Sequence, residues 1–150
     1  MSDETHMSRA LALGVAAAEA GETPIGCVIV DETGAVIAEG ANAPIASHDP
    51  TAHAEIVALR AAAGKLGNYR LKPALALYVT LEPCAMCAGA ISHARVARLI
   101  YGASDPKGGG VEHGPRVFDQ PTTHWKPDIT AGVCADEAAT LLRAFFKARR

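Results

Sequence analysis

A chain of 150 residues that is 49% hydrophobic and 20% charged, with a net charge of −2, has enough apolar surface for one buried core and too little length for two. That balance excludes a disordered tail protein. The acidic, polar start Ser2-Asp3-Glu4-Thr5-His6 has neither the basic region of a signal peptide nor an apolar run that spans a bilayer, so the expectation is a single cytoplasmic domain over residues 1–150 with no membrane partner.

Thr5 to Ala20 is alanine-rich, carries Leu11, Leu13 and Val15 without a proline, and stops before Gly21, which predicts a helix with a glycine terminator. Ile25 to Val30 is an apolar, largely β-branched run, Asp31-Glu32-Thr33-Gly34 a turn, and Ala35 to Ala38 a returning strand; together they predict a hairpin. Two prolines with Asn42, Ser47 and Asp49 make Asn42 to Pro50 a loop that delivers the chain to a helix beginning near Thr51. Gly64 to Pro73 reads as a loop, Leu75 to Leu81 as a buried strand, and Pro83 to about His93 as a helix with proline in its first turn. Arg98 to Tyr101 is a short strand, Gly108-Gly109-Gly110 a flexible stretch, and Cys134 to Lys147 a terminal helix with Leu141, Leu142, Phe145 and Phe146 on or near one apolar side. Strands alternating with helices predict an α/β layered sandwich.

Two half-motifs in this frame carry chemistry. His53-Ala54-Glu55 falls in the first turn of the helix after the proline loop, and Pro83-Cys84-Ala85-Met86-Cys87 opens the next one. Cysteines three apart share a helix face, and with an imidazole they supply three ligands of a tetrahedral zinc; a structural site adds a fourth protein ligand, whereas a catalytic site leaves that position to water. Glu55 decides between the two. Its hard oxygen is a poor partner beside two thiolates, yet it stands near enough to take a proton from water acidified by the metal and to return one to a leaving group. Taken alone, the Cys-x-x-Cys pair fits a thioredoxin-like redox site equally well, but a redox pair needs neither His53 nor Glu55. Both half-sites fall at helix N-termini, whose partial positive charge and free amides favour thiolates. Cys27 and Cys134 are left over and are expected to be core thiols.

With those residues in place, the chain resembles the cytidine deaminase superfamily, and within it the bacterial tRNA-specific adenosine deaminases. The likeness runs nearly end to end, through Gly21 to Gly26, Asn42 to Ile45, His48 to Glu55, Asn68 to Leu71, Tyr78 to Ala90, Tyr101 to Ala103 with Asp105 and Lys107, and Phe145 to Arg150. The zinc motifs mark the superfamily; the Asn42 loop and the Phe-Phe-x-x-Arg ending mark the tRNA enzymes. The resemblance implies a three-layer α/β/α sandwich around a mixed five-stranded sheet, a homodimer, one Zn2+ per subunit on His53, Cys84 and Cys87, and Glu55 as proton shuttle. It further implies a tRNA anticodon loop splayed so that one base enters the pocket, with Asn42 touching that nucleoside and Asp105, Lys107, Phe145 and Arg149 touching flanking nucleotides. Phe145 and Phe146 are adjacent and cannot share a helix face, so one is expected in the core and the other free to stack on a base. Arg149 and Arg150 read equally well as a solvated tail. Between Gly108 and Trp125 the likeness weakens, and His113 and His124 are expected at the surface.

The reaction this predicts is hydrolytic loss of the adenine C6 amino group, giving inosine and ammonia. An anticodon loop suits it because single-stranded RNA unstacks at modest cost. Charge points the same way: residues 1–59 hold nine acids against Arg9 alone, while residues 60–150 hold thirteen bases against seven acids, although solvated helix faces account for such runs more often. Two other readings stand beside it. A free nucleobase deaminase acting on guanine or cytosine needs a closed pocket and no basic rim, and a zinc-stabilised RNA-binding module has no use for Glu55.

Overall fold

A computed structural model describes residues 2–71 and 74–149; Pro73, at the end of the expected loop, and Arg150, in the expected tail, lie outside the described residues. Helix α1 (Asp3–Glu19) starts two residues earlier than its alanine content suggests, because Ser2 accepts a hydrogen bond from the Thr5 amide and Asp3 and Glu4 sit at the positive end. Strands β1 (Gly26–Val30) and β2 (Val36–Ala41) form the expected hairpin around Asp31, whose carboxylate accepts from the Thr33 and Ala35 amides. Pairing continues to Gly26 opposite Ala41, so β2 outruns its expected end at Ala38.

The loop from Asn42 contains a single helical turn, α2 (Pro44–Ser47), and α3 (Ala54–Leu66) follows it and is stopped by Gly67 in the left-handed region at φ 64°. Next come β3 (Ala76–Leu81), α4 (Ala85–Ala94), β4 (Arg98–Ala103), a short 3-10 turn at Val117–Asp119, β5 (Asp128–Thr130) and α5 (Ala135–Ala148). The sheet order is β2-β1-β3-β4-β5, with β1 antiparallel to both neighbours and β3, β4 and β5 parallel, a mixed five-stranded sheet as the resemblance implied.

Alternation along the strands separates two cores. Cys27, Ile29, Leu77, Val79, Leu99 and Tyr101 pack with Ala58 and Leu59 of α3 and Ala88 and Ile91 of α4, while Val28, Val30, Tyr78 and Ile100 pack with Met7 and Ala10 of α1. Helices cover both faces, which is why these strands read as continuous apolar runs. The topology also fixes where the site lies. Since β1 runs against β2 and β3, the ends of β2, β3 and β4 leave the sheet at one edge, and the segments beginning at Asn42, Glu82 and Ser104 emerge side by side. No described helix is long and apolar enough to cross a membrane.

Candidate active site

His53 is the N-cap of α3 and Cys84 the N-cap of α4, both in extended backbone, and the His53 side chain makes no bond to its own helix. For α3 the missing cap comes from elsewhere: Asn42 Oδ1 accepts from the Ala54 amide at 2.9 Å. The His53 imidazole is thereby free to turn toward α4, where its Nδ1 lies 3.5 Å from Cys84 Sγ and 3.6 Å from Cys87 Sγ. A tetrahedral zinc with Zn–N of about 2.0–2.1 Å and Zn–S of about 2.3 Å holds such atoms roughly 3.5–3.6 Å apart, so the set fits that ion in both chemistry and spacing. Among the described residues it is the one His/Cys/carboxylate group of three gathered this closely, within 4.8 Å.

The two thiols share a single negative charge. Cys87 donates to Cys84, and that bond, with help from the Cys87 amide and His53 and against the effect of burial, pushes Cys84 down to about 5. As donor of the same bond, Cys87 is pushed upward. A cation that takes both sulfurs must displace the remaining proton. Glu55, in the first turn of α3, is only 4% exposed. Burial, reinforced by the Cys84 charge and opposed by its own backbone amide and His53, pushes its carboxyl up to about 7. Such a group can accept and return a proton near neutrality.

At the sheet edge where β3 and β4 end, the edge from which Cys84 also leaves, the chain forms a rim. Asp105 and Lys107, from the segment after β4, line a groove of about 560 Å³ together with Thr23, Leu142, Arg143 and Phe146. Phe146 is 48% exposed, whereas Phe145 is 9% exposed, and its ring lies under the Arg149 guanidinium at 3.5 Å. Of the two adjacent rings, Phe145 is the inward one and Phe146 the outward one. Phe145 shares the inward face of α5 with Ala138, two turns earlier, and the next residue is turned about 100° away, into the groove.

Glu82, at the end of β3, organises the whole rim segment. Its carboxylate, 2% exposed as a residue, accepts from the amides of Asp105 at 2.9 Å, Val111 at 3.1 Å, Glu112 at 3.0 Å and His113 at 3.2 Å, and from His113 Nδ1 at 2.8 Å. Burial is the largest influence and pushes Glu82 up, yet the Asp105 amide, His113 and the Val111 and His113 amides together hold it below the usual carboxylate range. The stretch 108–110, expected to be flexible, is packed at two of its glycines. A Cβ on Gly109 would overlap the Glu82 carboxylate, and one on Gly110 would lie 2.7 Å from the Ala85 nitrogen. His124 is exposed as expected, but His113 is engaged with Glu82.

Residues 1–103 match the zinc-binding region of the cytidine and deoxycytidylate deaminases. The chain belongs to that deaminase family. This deaminase is 52% identical over 151 residues to the tRNA-specific adenosine deaminase of Agrobacterium fabrum, a match covering 100% of this chain and 98% of the relative. It superposes with a TM-score of 0.89, at 51% identity and over 92% of this chain and 99% of the other, on a structure from a study of A-to-I editing by tRNA:A34 deaminases at the wobble position of transfer RNA. A guanine deaminase from Nitrosomonas europaea gives a TM-score of 0.85 at 27% identity, over 96% of this chain and 84% of that one.

Two residues of the deaminase escaped sequence reasoning. Glu82 stands one residue before the Pro-Cys-x-x-Cys motif, where it reads as the end of a strand. Glu22, 3% exposed, accepts from the Ile45 and Ala46 amides at 3.3 and 2.9 Å and so caps α2, whose own N-cap is Ala43. The signal available was a pair of acids in apolar surroundings, which bury only with partners. Cys27 is fully buried as expected, whereas Cys134 is only half-buried and forms the left-handed N-cap of α5 at φ 56°.

Proposed function

We propose that the deaminase converts adenosine to inosine at the wobble position of a tRNA anticodon, acting in the cytoplasm as a homodimer with one catalytic domain, residues 1–150, per subunit. The observation that carries this reading is the 52% identity to a tRNA-specific adenosine deaminase along the whole chain. The rim supports it: Lys107, Arg143 and the exposed ring of Phe146 line an open groove, a combination that suits a phosphate backbone and a flanking base and that a free nucleobase does not need. For the dimer, the support is an apolar hollow between α3 and α4, lined by Ile56, Leu59, Ala63 and Ala90, beside Tyr69, which is 73% exposed.

His53, Cys84 and Cys87 would hold zinc, which would supply a Lewis acid able to bring the pKa of water into the neutral range. Ionised Glu55 takes one proton of the attacking water and delivers it to the purine ring as the C6–O bond forms, then carries the proton of the new C6 hydroxyl to the amino group, so that the C6–N bond breaks and ammonia leaves. Asn42 Oδ1 is committed to the Ala54 amide, so its Nδ2 is the group left to orient the nucleoside. Asp105, Lys107 and Phe146 meet the flanking nucleotides, and Arg149, stacked on Phe145, is left to meet a phosphate.

Incubation with an unmodified tRNA carrying adenosine at the wobble position, and separately with adenine, guanine, cytosine and cytidine, tests the proposal. Inosine in the tRNA with no ammonia from the free compounds is the expected result. The likeness to a guanine deaminase favours a second reading, which ammonia from guanine without inosine in tRNA would establish.

A further inference from the structure

Among the described residues, five N–H groups donate to the Glu82 carboxylate. Oε2 collects the amides of Val111, Glu112 and His113, while Oε1 takes the Asp105 amide and His113 Nδ1. The carboxylate thus ties the two ends of the segment 105–113 to one point. The segment has bonds of its own, from the Gly108 amide to Asp105 Oδ1 at 3.0 Å, from the Gly109 amide to the Asp105 carbonyl at 2.8 Å and from Ser104 Oγ to Glu112 Oε1 at 3.3 Å, but Glu82 is the buried group that joins both ends. The tied loop is then laid against the start of α4: Gly109 packs on Glu82, and Gly110 donates to the Pro83 carbonyl at 2.8 Å. Asp105 and Lys107, which line the groove, leave from this loop. The metal ligands His53 and Cys84 are the N-caps of α3 and α4, and the loop meets this centre through the backbone of Pro83 to Ala85.

We propose that Glu82 is the positioning residue of the substrate rim: it gathers residues 105–113 into one rigid loop and so holds Asp105 and Lys107 at the groove, with His113 as its side-chain partner. This rests on the tRNA reading for the groove's occupant. It makes the carboxylate irreplaceable by an amide, because either orientation of a glutamine turns its NH2 onto two or three N–H groups. It also assigns a role to His113.

The test compares the wild type with Glu82→Gln, His113→Ala and His113→Gln, reading zinc per chain, thermal midpoint, hydrogen exchange of the 105–113 amides, and kcat and KM for tRNA. In Glu82→Gln we expect about one zinc per chain, amides of Asp105, Val111, Glu112 and His113 exchanging about tenfold faster or more, and KM raised about tenfold with kcat within about threefold. His113→Gln, which keeps a side-chain donor, should lie closer to the wild type than His113→Ala. Loss of zinc, wild-type exchange in the loop, or a lowered midpoint with fewer active molecules and unchanged KM each overturns the proposal. If the wild type itself leaves tRNA untouched, the functional reading fails, while the exchange data still decide whether Glu82 holds the loop.

Discussion

His53, Cys84 and Cys87 reach their common point from two helix starts, and each ligand's direction follows from its place at a cap or within a turn of one. Asp105, Lys107 and Phe146 reach the rim from a loop and a terminal helix, and the loop is tied by a carboxylate on a third element. The metal centre therefore depends on local backbone geometry that the motif itself carries. The rim depends on bonds between residues far apart in the chain. Damage at the centre should be abrupt and all-or-none in metal and turnover, whereas damage at the rim should be graded and confined to substrate affinity.

The hardest test of that contrast is Cys87→Ala. Two ligands do not hold zinc well, so metal per chain should fall well below one and deamination below detection, as metal analysis and an inosine assay would record. Full zinc in this variant would undo the ligand assignment.

Glu55→Gln comes next, because it leaves the ligands alone. Zinc should stay, and kcat should drop by about 10²–10⁴ through loss of proton transfer. The same residue sets two pH effects. Glu55 acts in its ionised form, so wild-type kcat/KM should fall as pH drops, with an apparent pKa at or below about 7 once the metal's charge pulls it down. For stability the sign is reversed. In the metal-free protein folding raises the carboxyl from 4.5 to about 7, so the folded state holds the extra proton in that window and stability is lost as pH rises through it. Stripped of metal, Glu55→Gln escapes this penalty and should be more stable than the metal-free wild type at pH 8, with the advantage shrinking toward pH 5 in urea titrations.

At the rim, neighbouring rings should behave differently. Phe146→Ala should raise KM for tRNA about tenfold with zinc and the thermal midpoint intact, since stacking on one base is worth ~1–3 kcal/mol. Phe145→Ala should instead destabilise the fold by ~3 kcal/mol with little specific change in KM. Equal effects on KM from both would mean that burial does not separate their roles. Arg149→Ala should be the mildest: a rise in KM of about threefold, a salt dependence shallower by about one phosphate contact, and a midpoint nearly unchanged because the stacking on Phe145 is worth only ~0.5–1 kcal/mol.

Much of this organisation is legible before folding is considered. The alanine-rich first helix, the hairpin, the strand before the second metal motif and the last helix all carry a period of their own, and they appear within a few residues of where pattern places them. β5 does not, because three residues hold no pattern and the strand exists only through its pairing with Arg98–Ile100 of β4. The 108–110 stretch misleads for a related reason. Glycine suggests freedom, but Gly109 and Gly110 are needed there for the side chain they lack, since the Glu82 carboxylate and the start of α4 occupy that space. Adjacent phenylalanines likewise announce that one must turn outward; only the packing of α5 decides that it is Phe146.

The sequence by itself determined the chemistry: three soft and borderline ligands, an unliganded acid two residues after the histidine, and spacings that place both metal motifs at helix starts. Local backbone geometry is enough for this, because ligands at or within a turn of a cap have few directions to point. Only the tertiary structure decided what surrounds that chemistry: that Asn42 caps the helix His53 leaves uncapped, and that Glu82 gathers the segment from Asp105 to His113. Those bonds join residues 12 to 31 positions apart, and a buried polar group finds its partner across such a distance only once the sheet has brought the segments to one edge.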